Sequence, residues 1–99
     1  MKILLYKLND SKKKYRVAFE DGTSISFGAS RYSDFTRHQD ERRKASYLKR
    51  HEANENWTAE GIQAAGFWSR WLLWNKPTIT ASVKDIQDRF GVKIVRKRT

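Results

Sequence analysis

Cysteine is absent, and histidine occurs only twice. Disulfide staples and thiolate metal sites are therefore excluded, and two histidines alone cannot close a zinc site, so packing must hold the chain together. The single proline, Pro77, and five glycines leave no proline-rich linker and no glycine-rich phosphate loop. Long apolar runs are missing too. The longest, residues 64–74, is interrupted by Ser69 and Arg70 and is roughly half of the ~20 residues a membrane span requires. After Met1-Lys2, the run Ile3-Leu4-Leu5-Tyr6 ends at Lys7, too short for a secretory leader. These absences lead us to expect a soluble, non-secreted protein without a membrane partner.

Acidic residues are the other shortage. Eleven aspartates and glutamates face twenty-one lysines and arginines, giving a net charge of +10 and a pI near 10.2 over 99 residues. That balance favours anionic partners but says nothing about fold. Apolar residues make up only 38% of the chain, yet aromatics alone make up 13%. Each buried ring removes a large area from water, so one small aromatic core is within reach. The length suits one domain covering residues 1–99, with no room for separate catalytic and binding domains.

Residues 1–30 read as strands. Tyr15 to Phe19 and Thr23 to Phe27 alternate in polarity around Glu20-Asp21-Gly22. A two-residue turn would mix the faces. A three-residue loop with Gly22 left-handed pairs Val17 with Ile25 and Tyr15 with Phe27, putting the large apolar side chains on one face. Lys2 to Leu8 forms another strand, turned by Asn9-Asp10-Ser11, and its apolar run suits a position with both faces partly covered.

From Ser33 the pattern becomes helical. With Ser33 as N-cap and no glycine or proline before Gly61, one basic helix is expected over 34–53. Its inner side would carry His38, Ala45 and Leu48, and its outer stripe Gln39, Arg42, Arg43, Ser46, Lys49 and Arg50. Thr58 would cap a tryptophan-rich core helix over 58–74, in which Gly61, Ala65 and Ser69 permit close approach. A third helix over 78–90 is capped by Thr78, repeats Ile79, Val83, Ile86 and Phe90 at amphipathic spacing, and stops at Gly91. Residues 92–99 form a basic tail, in which Val92 to Val95 can return as a short strand. The fold class is thus α+β: a small antiparallel sheet packed on three helices, with Trp68, Leu72, Val83, Ile86 and Phe90 in one core.

The only acidic segment is 52–75, the tryptophan-rich one, so positive charge lies on the elements around it. Candidate nucleic-acid contacts are Arg42, Arg43, Lys49 and Arg50 on the basic helix and Arg96, Lys97 and Arg98 in the tail, a distribution suited to phosphates. The alternative is a solvated face supported by Asp40–Lys44 pairing at i, i+4. Trp57, Trp68, Trp71 and Trp74 could stack on bases, but the helical spacing of Phe67, Trp71 and Trp74 is that of a core. Trp57 is the best candidate for an exposed ring. Asp34 with His38, one turn apart, could form an acid/base pair, and Asp40 with Glu41 could share a metal. Neighbouring carboxylates on a helix diverge by ~100°, and His38 near the inner side reads better as structural. No catalytic residue, metal or cofactor is implied, and we expect no enzyme.

Several stretches, Phe27-Gly28, Tyr32 to Asp40, Arg42-Arg43, Arg50-His51, Glu55-Asn56-Trp57 and above all Gly66 to Thr78, give the chain a resemblance. It resembles a family of small basic proteins of unknown function encoded by nucleocytoplasmic large DNA viruses, including algal chloroviruses and mimivirus relatives. The resemblance spans roughly residues 15–90, and the run Ser69 to Thr78 is its most specific part. It implies a viral, virion-associated origin, located in the virion and in host cytoplasm or nucleus during infection, and no activity. Two readings compete. One is a DNA-binding or genome-packaging protein with sequence-independent backbone contacts; the other is a minor capsid or core protein bridging virion components.

Overall fold

The computed structural model describes residues 1–9 and 11–98, the last by its backbone only. Asp10, in the expected first turn, and Thr99 lie outside the described residues. Among the described residues, ten short elements build one α+β unit. Strands β1 (Lys2–Lys7), β2 (Lys13–Ala18) and β3 (Ser24–Ala29) lead into helices α1 (Phe35–His38) and α2 (Glu41–His51). A 3₁₀ turn (Ala59–Gly61) precedes α3 (Ala65–Trp68), which runs on as a π-helical turn (Ser69–Leu73), and α4 (Ile79–Phe90) and β4 (Lys93–Arg98) follow.

The sheet has the order β3-β2-β1-β4. The β2–β3 hairpin has the expected register, with Val17 opposite Ile25 and Tyr15 opposite Phe27. Gly22 is left-handed at φ +89°, and the Phe19 N–H donates to the Thr23 carbonyl at 2.9 Å, leaving the three-residue loop that alternation demanded. The sheet is mixed rather than antiparallel throughout: β4 pairs parallel to β1, with Ile3 opposite Ile94. The expected basic tail is therefore an edge strand, longer than residues 92–95, and Arg96, Lys97 and the Arg98 backbone belong to it. β1 lies between β2 and β4, and both its faces are partly covered, as its apolar run suggested: Ile3 and Leu5 are buried on one, Leu4 and Tyr6 half-buried on the other.

Alternation sends Ile3, Leu5, Val17, Phe27 and Ile94 to one face, where they join Phe67, Trp68, Leu72, Leu73, Val83 and Ile86 in a single buried cluster. Phe90 packs against its margin. The π turn accounts for Trp71, Leu72 and Leu73 all being buried, since three successive residues of a regular helix cannot share one face. The Trp74 N–H donates to the Ser69 carbonyl five residues back, at 3.1 Å. Buried indoles find acceptors: Trp68 Nε1 donates to the Ile62 carbonyl at 2.6 Å and Trp71 Nε1 to the Trp57 carbonyl at 2.8 Å. α4 begins and ends where expected, with Thr78 Oγ1 accepting from the Ala81 N–H and Gly91 left-handed at φ +65°.

Two helices differ from expectation. The helix over 34–53 is broken at Gln39, which sits at φ 54°. Two aspartates outcompete a continuous helix by capping two short ones: Asp34, not Ser33, caps α1, and Asp40 caps α2. The break resets the helical phase. Tyr47 is the buried residue of α2, Leu48 is half-buried, and Ala45 is exposed. The helix over 58–74 is also shorter, because Thr58 donates its hydroxyl to Asn56 Oδ1 and forms no cap. Gly61 makes its close approach to the Asn56 carbonyl, which a Cβ would meet at 2.1 Å, and not to a neighbouring helix.

Candidate nucleic-acid interface

The site is assembled around α2. Asp40 accepts from the backbone N–H groups of Arg42 at 2.9 Å and Arg43 at 3.3 Å, so its charge is held at the positive end of the helix. Lys44 does not pair with Asp40; its Nζ donates to the Asn75 carbonyl at 2.7 Å and lies over the Phe35 ring. Burial lowers the Lys44 pKa, with Arg70 and Lys76 acting the same way and Glu41 opposing. Both interactions fasten α2 to the body of the fold.

Tyr47 anchors the helix. Its ring lies between His51 (4.2 Å between centroids) and Trp74 (4.3 Å, within 3° of parallel), and His38 extends the column beyond Trp74 at 5.3 Å. Burial, reinforced by the Glu55 charge, holds the Tyr47 phenol well above its ordinary range. Glu55 ties the far end of α2 to the core. One oxygen lies 3.0 Å from His51 Nδ1, and the other accepts from Trp57 Nε1 at 2.9 Å. The glycine at Gly66 makes room for it, since a Cβ there would come within 2.8 Å of the Glu55 carboxyl carbon. Trp57 is consequently half-buried under Arg70 rather than exposed.

The opposite wall comes from the sheet. Lys14 Nζ reaches Asp34 at 2.6 Å, in a pair with side-chain exposures of 13% and 3%. The same carboxylate accepts from the Thr36 N–H and hydroxyl. Gly28, at φ +76°, lets Leu73 approach; a Cβ would meet Leu73 Cδ1 at 2.7 Å. Asp34 is thus fully used as cap and ion-pair partner, and His38 Nδ1 accepts from the Asp40 N–H at 2.9 Å. The imagined Asp34–His38 acid/base couple is not assembled. Among the described residues no group of three potential metal ligands comes together, and Asp40 serves as a cap.

Between these walls runs a groove of about 920 Å³. Lys13, Lys14, Arg42, Arg43 and Arg50 line it against Asp34 and Glu55, with Tyr32 at its edge and Tyr47, Leu73 and Trp74 also in its lining. Both carboxylates are already engaged, by Lys14 and by His51 with Trp57. Arg42, Arg43 and Arg50 make no ion pair among the described residues.

Of the seven sequence-predicted contacts, the structure gathers these three arginines. Lys49 is exposed but does not line the groove. Arg96 and Lys97 line a second concavity of about 740 Å³ with Leu5, Lys7, Leu8, Asn9 and Tyr15, and Arg96 donates to Thr80 Oγ1 at 3.0 Å. The Arg98 side chain lies outside the described residues. Arg96 and Lys97 thus line a different concavity from the three arginines. Lys13, Lys14, Tyr32 and Tyr47 escaped the sequence reading because their meeting is tertiary; Tyr47 alone carried a local signal, as the large aromatic on α2.

A family of unknown function (DUF5754) matches residues 3–51, from β1 to the end of α2. That stretch carries the groove's lysines and arginines and stops before the tryptophan-rich run. No curated protein and no solved structure matches the chain. No helix among the described residues is long and apolar enough to cross a membrane.

Proposed function

We propose that this protein binds nucleic acid through its phosphates, without sequence specificity, and that the setting is genome packaging in the virion of a large DNA virus. The observation that carries the binding is the unbalanced groove: Arg42, Arg43 and Arg50 converge with Lys13, while the two carboxylates nearby are held by other partners. Packing cations of one sign without counter-ions costs stability, and a phosphate backbone relieves that repulsion while releasing condensed counter-ions. Contacts made by charged side chains to phosphates carry no sequence information, so affinity should depend on charge rather than sequence. The viral setting rests on the resemblance of residues 69–78. The same reading makes the protein a binder rather than an enzyme, because Asp34 and Asp40 serve as caps, Asp34 also pairs with Lys14, and His38 Nδ1 accepts from the Asp40 N–H.

Titration of labelled duplex DNA at several salt concentrations is the test. Wild-type affinity should fall steeply with salt, and changing Arg42, Arg43 and Arg50 together to Gln should reduce the log-log slope by about 0.9 for each phosphate that is no longer neutralised. Lys49→Gln should leave it nearly unchanged. Absence of binding at low salt would reject this reading and favour a structural protein whose basic surfaces meet acidic capsid or core proteins. Incubation with DNA and magnesium or manganese tests the non-enzymatic assignment, and cleavage that disappears with Asp40→Asn would overturn it.

A further inference from the structure

A duplex hides its base faces and presents phosphates on a stiff convex surface. The groove beside α2 offers more than such a surface can use. Tyr32 stands at its edge with 68% of the residue exposed, and Met1 is the only other large apolar or aromatic residue so exposed among the described residues. Its backbone is part of the turn that leaves β3, where the Tyr32 N–H donates to the Ala29 carbonyl at 3.1 Å. Arg43 and Arg50 line the same concavity from two turns of one helix, about 10.5 Å apart along its axis. Cations and an available aromatic face therefore share one concave site. An unpaired strand brings phosphates and a base face together at that scale.

Resting on the nucleic-acid reading above, we infer that the groove receives single-stranded nucleic acid, with phosphates on Arg43 and Arg50 and one base stacked on Tyr32. Such a stack tolerates any base, because every base has a π face, so the site remains insensitive to sequence. Tyr47 and Trp74 take no base, since each already covers the other's face; they hold the wall on which the strand lies.

The test compares a labelled oligothymidylate with a duplex of equal length at one low salt concentration, using the full chain. Tyr32→Ala should weaken oligothymidylate binding about tenfold and leave duplex binding unchanged, and Tyr32→Phe, which keeps the ring, should bind like the wild type. A strand of abasic sugar-phosphate should compete about tenfold less well than oligothymidylate for the wild type, and equally well for Tyr32→Ala. Unchanged oligothymidylate binding by Tyr32→Ala, with loss of binding by Arg43→Gln and Arg50→Gln, would overturn the stacking inference while leaving the phosphate reading intact. An equal loss by Tyr32→Phe would also overturn it, by moving the effect from ring to hydroxyl. Failure of the wild type to bind either form would remove both readings together.

Discussion

α2 and α4 have 11 and 12 residues, and each starts on a side-chain cap, yet they use charge in opposite ways. α4 buries Ser82, Val83 and Ile86 and satisfies its cations internally: Lys84 pairs with Asp88 at 2.8 Å, and Arg89 pairs with Asp85 while lying over the Trp71 ring. Asp85 also accepts from Asn75 Nδ2 at 2.7 Å. Burial works to raise the Asp85 pKa, but the Asn75 and Arg89 hydrogen bonds outweigh it and hold the carboxyl below its ordinary range. α2 buries Tyr47 and leaves Arg42, Arg43 and Arg50 in the groove without carboxylate partners among the described residues. A count of basic residues treats Arg89 and Arg50 alike. What separates the two is whether the fold has already given the cation a counter-charge or a ring.

The sharpest way to break this contrast lies on the structural side. Trp71→Ala removes the ring beneath both Arg70 and Arg89 and leaves a large cavity, and it should cost about 3–5 kcal/mol in chemical denaturation. Near-wild-type stability would mean the ring packs less than its 9% exposure indicates. Next comes the strut between sheet and α1. Asp34→Ala strands a largely buried Lys14 and removes the α1 cap, for an expected loss of about 3 kcal/mol, and a loss under a third of that would show that Lys14 escapes to water. Gly28→Ala meets both a positive φ and Leu73, and should lower stability by about 1–3 kcal/mol; its melting temperature is the readout.

The fourth prediction concerns alkaline pH. The folded Tyr47 phenol holds its proton above the ordinary value of about 10, whereas the unfolded chain releases it there. The stability this contributes is fully present below about pH 10 and is lost as pH rises toward the folded value. Denaturation midpoints should therefore fall more steeply above about pH 10 in the wild type than in Tyr47→Phe, and parallel profiles would place the titration elsewhere. The smallest effect belongs to the groove. Changing Arg42, Arg43 and Arg50 to Gln should move stability by no more than about 0.5 kcal/mol, and a large loss would show that these arginines are structural after all.

Legibility in the sequence followed the range of the interactions. The hairpin register was readable because only one pairing puts Tyr15, Val17, Ile25 and Phe27 on a single face, and α4 because its spacing, Thr78 and Gly91 agree. The break at Gln39 was not, since it carries no glycine or proline; Asp34 and Asp40 make it by capping, and each also suits a helical first turn. Once the phase was lost there, Ala45 and Leu48 displaced Tyr47 as the expected inner face. Half of the candidate site, the arginines of α2, was visible as a stripe. Its other wall is formed by Lys13, Lys14 and Tyr32, residues whose neighbourhood depends on how the hairpin folds back over α3.

The parallel pairing of β1 with β4 bears on how the chain reaches this state. Lys2 lies opposite Lys93, so the strand near the middle of the sheet finds one neighbour locally and the other only after almost the whole chain has been ordered. β1, β2 and β3 can meander into place early, but Ile3, Leu5, Val17 and Phe27 then face water until α3 and α4 cover them. The stretch 3–51 that the family match spans therefore carries the groove's lysines and arginines without a core of its own. Expressed as a fragment, it would be a sticky three-stranded ribbon, and the tryptophan-rich half is what makes it a folded protein.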